Sequence, residues 1–452
     1  MVKFAGRVHI VGIGGSGMSA LAQLLCEAHV PVSGSDLKGS LLLERLRLQG
    51  VDVSVGHQGE NVIGADIVAV STAIPDHNVE IQEARAQGIS VWTRAELLRA
   101  LVEDHRVIAV SGTNGKTTTT AMIAAGLAEA GRSPSYLIGA EVNEAGASGH
   151  YGDSDVFVVE ADESDGTFLT LNPEIAVVTN VEQDHQDFYG GLAGLRDAFR
   201  RFIEGSSLPA VVCADDPGAT EVSEGLPRLT YGFSESADMR IENLVMTKEA
   251  SSFAVTMGGT HVTDVTLSVL GTHNVANATA ALAVARLLGA DLDRVAEGLS
   301  RYVGVSRRFQ HRRVIGSIRI IDDYAHLPSE IRATIGAARQ LGAKRLVVVF
   351  QPHRYSRTQL LAQELGEALT LADEIVVTDI YGAGEDPIPG VSGDLVAAAA
   401  RQLAAERVHY VPSRMELAPA VAALLSEDDV LLTLGAGDIG MVEGEIGEVL
   451  RS

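Results

Sequence analysis

The chain has 452 residues, 46% of them hydrophobic and 21% charged, and carries a formal net charge of −24. That length exceeds one hydrophobic core and implies several domains. The charge excludes a general nucleic-acid binder, and the apolar runs are too short and too often broken by glycine for a membrane span. Two cysteines, Cys26 and Cys213, sit in separate segments and read as small buried apolar residues, which argues against a disulfide framework and fits a cytoplasmic protein. The start, Met1 to Arg7, leads directly into a strand and does not read as a signal segment.

Residues 1–103 repeat strand, glycine turn and helix. A strand at Val8 to Val11 runs into Gly12-Ile13-Gly14-Gly15-Ser16-Gly17-Met18, followed by an apolar helix from Ser19 to about His29. A second strand begins at Val30 and ends at Gly34-Ser35-Asp36. Gly12, Gly14 and Gly17 satisfy G-x-G-x-x-G, and Asp36 lies about 20 residues further on, as a dinucleotide fingerprint asks. Any diphosphate held at a helix N-terminus makes the same demands, so NAD and a UDP group both fit. After the strand Ile67 to Val70, Ser71-Thr72-Ala73 stand where an open parallel sheet meets its ligand. Ser71 and Thr72 would either donate to phosphate or sugar or cap a turn; His57 has the same two readings.

Residues 104–304 begin with a buried strand, Val107 to Val110. Gly112-Thr113-Asn114-Gly115 then form a tight turn, and Lys116-Thr117-Thr118 open a helix running to about Gly131. Val110 stands where the full G-x-x-x-x-G-K-[ST] pattern needs glycine, yet the order strand, turn, Lys-Thr, helix is that of a phosphate cradle. Lys116 is expected to reach the β- and γ-phosphates and Thr117 to hold Mg²⁺. The strand Asp155 to Glu160 ends in an acid, which predicts Glu160 as a second Mg²⁺ ligand. The acids that follow, Asp162, Glu163 and Asp165, read as solvated or turn-forming. His185, after the strand Ala176 to Asn180, can ligate a second metal ion. Residues 209–213 form another short strand. Residues 238–270 alternate polar and apolar, which predicts antiparallel hairpins. Gly271 opens an Ala-rich helix to Leu288, placing His273 and Asn277 on one face, suited to an adenine edge.

Residues 305–452 alternate strand and helix again, the pattern of a parallel, doubly wound sheet. Arg307, Arg308, Arg312 and Arg313 gather at its start. The expected strands are Ile318 to Ile321, Leu346 to Phe350, Ile375 to Thr378 and Val430 to Leu434. The segments after them carry Asp323, His326, His353, Arg354 and Arg357. Arg354 and Arg357 can grip carboxylates or phosphates, or lie solvated. The fold class is therefore α/β in three domains. The first is Rossmann-like, the second a P-loop ATPase with a parallel sheet and a small antiparallel section, and the third is Rossmann-like again.

These stretches resemble the Mur ligase family almost end to end. The residues that carry the resemblance are GIGGSGMSALA at 12–22, GTNGKTTT at 112–119, EADESDGTFL at 160–169, VVTNVEQDHQD at 177–187 and GTHNVANA at 271–278. They continue with RRFQ at 307–310, DDYAH at 322–326, FQPHRYSRT at 350–358 and LGAGDIG at 434–440. The alanine-adding branch is the most similar. The resemblance implies ATP-dependent formation of an amide between L-alanine and the lactyl carboxylate of UDP-N-acetylmuramate through an acyl phosphate, with two Mg²⁺ ions for which Mn²⁺ can substitute. It implies a UDP-sugar domain at 1–103, an ATP domain at 104–304 and a ligase domain at 305–452, working on small molecules. Carried over by residue, Gly14, Gly15, Ser16, Gly17, Met18, Asp36, His57 and Ser71–Ala73 hold the UDP end. The loop from Gly112 to Thr118, with His273, Asn277, Arg308 and Asp323, holds ATP. Thr117, Glu160 and His185 hold metal, and His326, His353, Arg354 and Arg357 orient the acid and the alanine. Two positions depart from the branch: Asn114 stands where it usually has His, and Leu327 where a second His usually follows DDYAH. No lysine lies between Lys116 and Lys248, so the carbamylated lysine of other Mur ligases has no counterpart, as in the alanine-adding branch.

Overall fold

Three sheets organise the chain, and each places its glycine or acid loops where the strand order reverses. The computed structural model describes residues 6–71, 73–139, 148–164, 166–184 and 186–451, with Gln186 and Asp187 described by their backbone alone. The first sheet holds β1 (Val8–Val11), β2 (Val32–Asp36), β3 (Asp52–Val55), β4 (Ile67–Val70) and β5 (Ser90–Thr93), in the order β3-β2-β1-β4-β5 and parallel throughout. The chain leaves β1 in one direction and returns beside it at β4. The crevice at the strand ends therefore opens between the loops after β1 and β4. The second strand lies two residues later than the apolar run suggests. Its Ser33-Gly34-Ser35 core is buried, and Gly34 fits because a Cβ there would lie 2.7 Å from the Ile10 carbonyl and 2.5 Å from Ile13 Cδ1. The helix Ser16–Glu27 likewise starts three residues earlier than expected, inside the glycine motif.

The second sheet has ten strands. They are β6 (Arg106–Ser111), β7 (Ser135–Leu137), β8 (Gly149–His150), β9 (Val156–Glu160), β10 (Ile175–Val178), β11 (Ala210–Cys213), β12 (Arg228–Gly232), β13 (Met239–Met246), β14 (Ser251–Met257) and β15 (Thr260–Leu267). Their order is β15-β14-β13-β12-β11-β10-β6-β9-β7-β8. The apolar central strands β6, β9 and β10 are parallel and buried on both faces, as their unbroken Val and Ile runs require. The alternating segment joins this sheet: β13 pairs parallel to β12, and Gly258-Gly259, both at positive φ, turn β14 into β15. The helix Lys116–Glu129 behind β6 packs on the helix Leu292–Ser300 through two glycines. A Cβ on Gly126 would meet Val295 at 2.7 Å, and one on Gly298 would meet the Ala125 carbonyl at 2.8 Å.

The third sheet comprises β16 (Gln310–Ile315), β17 (Ile318–Asp323), β18 (Leu346–Phe350), β19 (Glu374–Val377), β20 (Val408–Tyr410) and β21 (Val430–Leu434), in the order β16-β17-β21-β18-β19-β20. Only the β16–β17 pairing is antiparallel; all the others are parallel. By contact density the chain forms two units. One is Met1–Asn243, Phe253–Thr266 and Ala276–Tyr302; the other is Leu244–Ser252, Leu267–Val275 and Val303–Ser452. Among the described residues no helix is long and apolar enough to cross a membrane. Both cysteines are free, Cys213 buried as expected and Cys26 only half-buried.

Candidate active site

The loop between β6 and the helix Lys116–Glu129 is built as a phosphate cradle. Gly112 and Gly115 both have positive φ, 135° and 82°, which lets the chain reverse at the strand end. Gly112 is also pressed against the next strand: a Cβ there would lie 2.1 Å from Thr179 Oγ1. The first ladder bond of the helix runs from Thr119 N to Gly115 O, so the N–H groups before it point out of the helix end. Asn114 is tied down on both sides. Its N–H donates to Asn180 Oδ1 (2.8 Å), and its side-chain amide donates to Glu182 Oε1 (3.1 Å). A glutamate partner suits an amide here and explains how Asn114 keeps the loop ordered in place of histidine.

Thr117 and Glu160 come together as predicted. Thr117 Oγ1 donates to Glu160 Oε1 at 3.0 Å, and Gly139 N donates to Glu160 Oε2 at 2.6 Å. A hydroxyl and a carboxylate side by side are hard oxygen donors of the kind Mg²⁺ takes. The third predicted ligand, His185, lies outside the described residues, and among those described no group of three or more His, Cys, Asp or Glu could hold a metal ion.

Lys116 is placed differently from a solvated lysine. Its Nζ donates to Gly112 O (2.6 Å), Thr113 O (3.2 Å) and Glu163 Oε1 (2.9 Å). Burial works against its charge, but Glu163, Asp162 and Glu160 outweigh burial and hold the ammonium above its ordinary value. Glu163, read from sequence as solvated or turn-forming, is 2% exposed, and burial lifts its carboxyl to about 7. The reason is local: the chain leaving β9 turns back over Lys116, and Tyr189 donates its hydroxyl to the Glu163 carbonyl. Nothing in the acidic run 160–165 marks which acid turns inward. Asn277, on the helix Thr272–Leu287, lies against this loop, since a Cβ on Gly115 would approach its Oδ1 to 3.0 Å.

At the first sheet, Gly15 precedes the helix that begins at Ser16, and Met18 in its first turn is buried. Asp36 at the end of β2 accepts from Gly14 N at 2.9 Å, so the acid of the fingerprint braces the glycine loop. Ser71 accepts at 3.4 Å from the N–H of Ala73, the turn-capping reading; Thr72 lies outside the described residues. Sequence reasoning missed Arg94, which stands so close to Gly17 that a Cβ there would lie 2.9 Å from its Nε. His57 belongs to a buried network around Glu80, another residue missed. Its Nδ1 is 2.9 Å from Ser35 Oγ and 3.2 Å from Glu80 Oε2, while Ser35 and Asn61 each donate to Glu80 at 2.5 Å.

Burial alone would raise the Glu80 carboxyl. The neighbouring His9 and the donors Ser35 and Asn61 outweigh it and hold the group down at about 2. Its stabilising effect is therefore present above the ordinary carboxylate range and is lost as pH falls toward 2. Glu80→Gln is expected to destabilise the protein by about 3 kcal/mol at pH 7. The gap to the wild type should close between pH 4.5 and 2, read from urea midpoints at each pH.

In the second unit, positively charged and imidazole groups converge at the ends of β17 and β18. Asp323 accepts from Phe309 N (2.6 Å) and Ala325 N (2.8 Å), which pins the positive-φ turn Arg307–Phe309. Burial raises its carboxyl to about 6 despite Arg308 and these donors. Arg308 pairs with Glu330 at 3.3 Å and lies over the Tyr324 ring. His273 is kept neutral, lowered to about 4 by burial and then by Arg308. Glu330 also accepts from the N–H groups of His326 (2.9 Å) and Leu327 (3.1 Å). Leu327 itself is 3% exposed and precedes Pro328, the first residue of the helix Pro328–Gln340, a place where an apolar side chain is seated rather than a second imidazole.

His326 Nδ1 faces two acceptors, Tyr324 O (3.0 Å) and Glu330 Oε2 (3.2 Å), so its proton sits there. Arg357 donates to His353 Nδ1 at 3.1 Å, so His353 carries its proton on Nε2. Burial, with His326, Arg357 and Arg354 nearby, lowers His353 to about 3. The two rings are 5.7 Å apart, and Tyr381 stacks on His353. Arg354, at φ 72°, is turned into an ion pair with Glu385 at 2.8 Å. The partners Glu330, Glu385 and Tyr381 had no linear signal.

Family models cover most of the chain. The model described as "Mur ligase family, catalytic domain" matches residues 7–106, "Mur ligase middle domain" matches 110–285, and "Mur ligase, glutamate ligase domain" matches 307–437. The chain is 46% identical to a UDP-N-acetylmuramate–L-alanine ligase of Saccharopolyspora erythraea, over 97% of this chain and 92% of that one. It is 43% identical to the enzyme of the same name from Thermobifida fusca, over 98% and 97%. Among solved structures, the UDP-N-acetylmuramate-alanine ligase of Thermotoga maritima superposes with a TM-score of 0.82 at 31% identity, covering 99% of each chain.

Proposed function

Because the chain belongs to the Mur ligase family, we propose that it joins L-alanine to the lactyl carboxylate of UDP-N-acetylmuramate, using ATP, in peptidoglycan precursor synthesis. The observation that carries this reading is the Lys116–Thr117–Glu160 cluster at the end of β6 and β9. A carboxylate resists attack by an amine because oxide would have to leave. Phosphorylation by the ATP γ-phosphoryl group gives an acyl phosphate, whose leaving group is phosphate. ADP departs in that transfer; the amine then adds to the acyl carbon, loses a proton, and collapse of the tetrahedral intermediate expels phosphate and leaves the amide.

The first step brings two anions together, so fixed positive charge and alignment dominate the rate. Lys116 serves the phosphates, and the N–H groups at the head of its helix receive their oxygens. Thr117, Glu160 and His185 would hold Mg²⁺, with Mn²⁺ able to substitute, which supplies charge neutralisation along the phosphates. We assign the adenosine end to His273, Asn277, Arg308 and Asp323. The UDP end goes to the Gly14–Met18 loop with Asp36, His57 and the 71–73 turn, and the reacting carboxylate and alanine to His326, His353, Arg354 and Arg357. We also assign the UDP sugar to residues 1–103, ATP to 104–304 and the acceptor chemistry to 305–452. The substrates place the reaction in the cytoplasm, where ATP and nucleotide sugars are made.

The test is a competition. The protein is incubated with ATP, Mg²⁺, UDP-N-acetylmuramate and an equimolar mixture of amino acids, and the product is identified by mass. An alanyl adduct supports the reading; a different residue, or an adduct formed without ATP, refutes it.

A further inference from the structure

Lys116 has three ammonium hydrogens and three acceptors within reach, Gly112 O, Thr113 O and Glu163 Oε1. A phosphate oxygen can gain a bond from this amine only by replacing one of them. Two are backbone carbonyls in a loop held by Thr113 N to Asn180 O and by Asn114 N to Asn180 Oδ1. The third is a side chain that can rotate away. Its backbone is anchored by the Tyr189 hydroxyl, so the carboxylate can leave while the chain stays in place. Glu163 is also poorly satisfied where it stands: its Oε2 is buried with no hydrogen-bond partner among the described residues. With one oxygen orphaned, the buried carboxylate is held by its cation and by its own backbone N–H.

From this we propose that Glu163 is the counter-ion a nucleotide must displace from Lys116, so that Glu163 sets the affinity of the cradle for a polyphosphate chain. Without nucleotide, the pair keeps a buried ammonium neutralised and its Nζ aimed along the loop. With nucleotide, the γ- or β-phosphate takes the bond that Glu163 gives up. Glu163 is thus a positioning residue, acting through Lys116, and it competes with the ligand. The charged groups facing it are Lys116 and, on its own segment, Asp162; Glu160 adds to the negative field on Lys116. This rests on the nucleotide reading of the Gly112–Thr118 loop.

The experiment is calorimetric titration of the full chain with AMP-PNP, comparing wild type with Glu163→Gln. The variant is expected to bind about tenfold tighter at pH 8, because a neutral amide competes less well than a carboxylate for the ammonium. Burial lifts the Glu163 carboxyl to about 7, so the wild type loses its competing charge below that pH. The wild-type-to-variant ratio should then fall toward one near pH 6, and because it is a ratio, titration of the nucleotide itself cancels. Glu163→Ala is the second variant and should tighten binding in the same direction. Equal or weaker binding by a folded variant, or a ratio that does not change with pH, would overturn the proposal. So would failure of both variants to fold, which would make the pair structural. If the wild type binds no nucleotide at all, the nucleotide reading fails instead, a result distinct from binding without tightening.

Discussion

Lys116→Ala leaves a folded protein whose ATP-dependent turnover is at least about 10³-fold slower. The magnitude follows from the charge problem. The attacking carboxylate and the γ-phosphate repel each other, and a cation fixed in a partly desolvated loop counters that repulsion without reorganising at the moment of reaction. Lys116 is the only lysine between Lys38 and Lys248, so no neighbouring lysine can take over. Removing it also strands Glu163, which is 2% exposed and partnered by the amine. Lys116→Ala paired with Glu163→Gln separates the two effects. The double variant should regain whatever thermal stability the single one loses and none of the activity. Stopped-clock phosphate release and a melting curve on each variant check this.

Glu160→Gln is expected to lower turnover by about 10²-fold to 10³-fold while the fold and UDP-sugar binding persist. The amide keeps the shape of the side chain: its one oxygen can still accept from Gly139 N, while its NH2 turns to the Thr117 hydroxyl and donates to it, in the places of the two donors that position Glu160 now. What it loses is the negative charge that a hard divalent cation prefers. The defect should therefore shrink as Mg²⁺ is raised from micromolar to tens of millimolar, whereas the Lys116→Ala defect should not. Initial rates across a Mg²⁺ series distinguish the two.

Most strands of the core could be read from the chain because they are unbroken Val and Ile runs, and a buried parallel strand needs nothing else. The glycine loops were legible for a related reason: a glycine turn between a buried strand and a helix carries its own residue pattern. The failures are of another kind. The second strand was read as starting two residues early, at Val30, because the apolar run starts there; the strand is buried through Ser33-Gly34-Ser35, where Gly34 lets Ile10 and Ile13 close over it. The hairpins at 238–270 were expected, but not how they attach: the parallel pairing of Tyr231 with Met239 and of Gly232 with Arg240 extends the main sheet into them.

The charged partners were least visible. Glu163, Glu80, Glu330 and Glu385 sit in polar stretches where an acid is normally solvated. Each is turned inward by a residue far away in sequence: Lys116 for the first, Ser35 for the second, Arg308 for the third, Arg354 for the last. Periodicity reports which face of an element is buried, but it cannot report which acid meets which base across a loop.

On this mechanism ATP activates the acid as an acyl phosphate before alanine attacks. The direct measurement uses UDP-N-acetylmuramate carrying ¹⁸O in both lactyl carboxylate oxygens, with ATP, Mg²⁺ and L-alanine, and mass analysis of the phosphate released. One labelled oxygen per phosphate is expected, because the carboxylate oxygen that attacks phosphorus departs with it. Unlabelled phosphate alongside alanylated product would contradict the account.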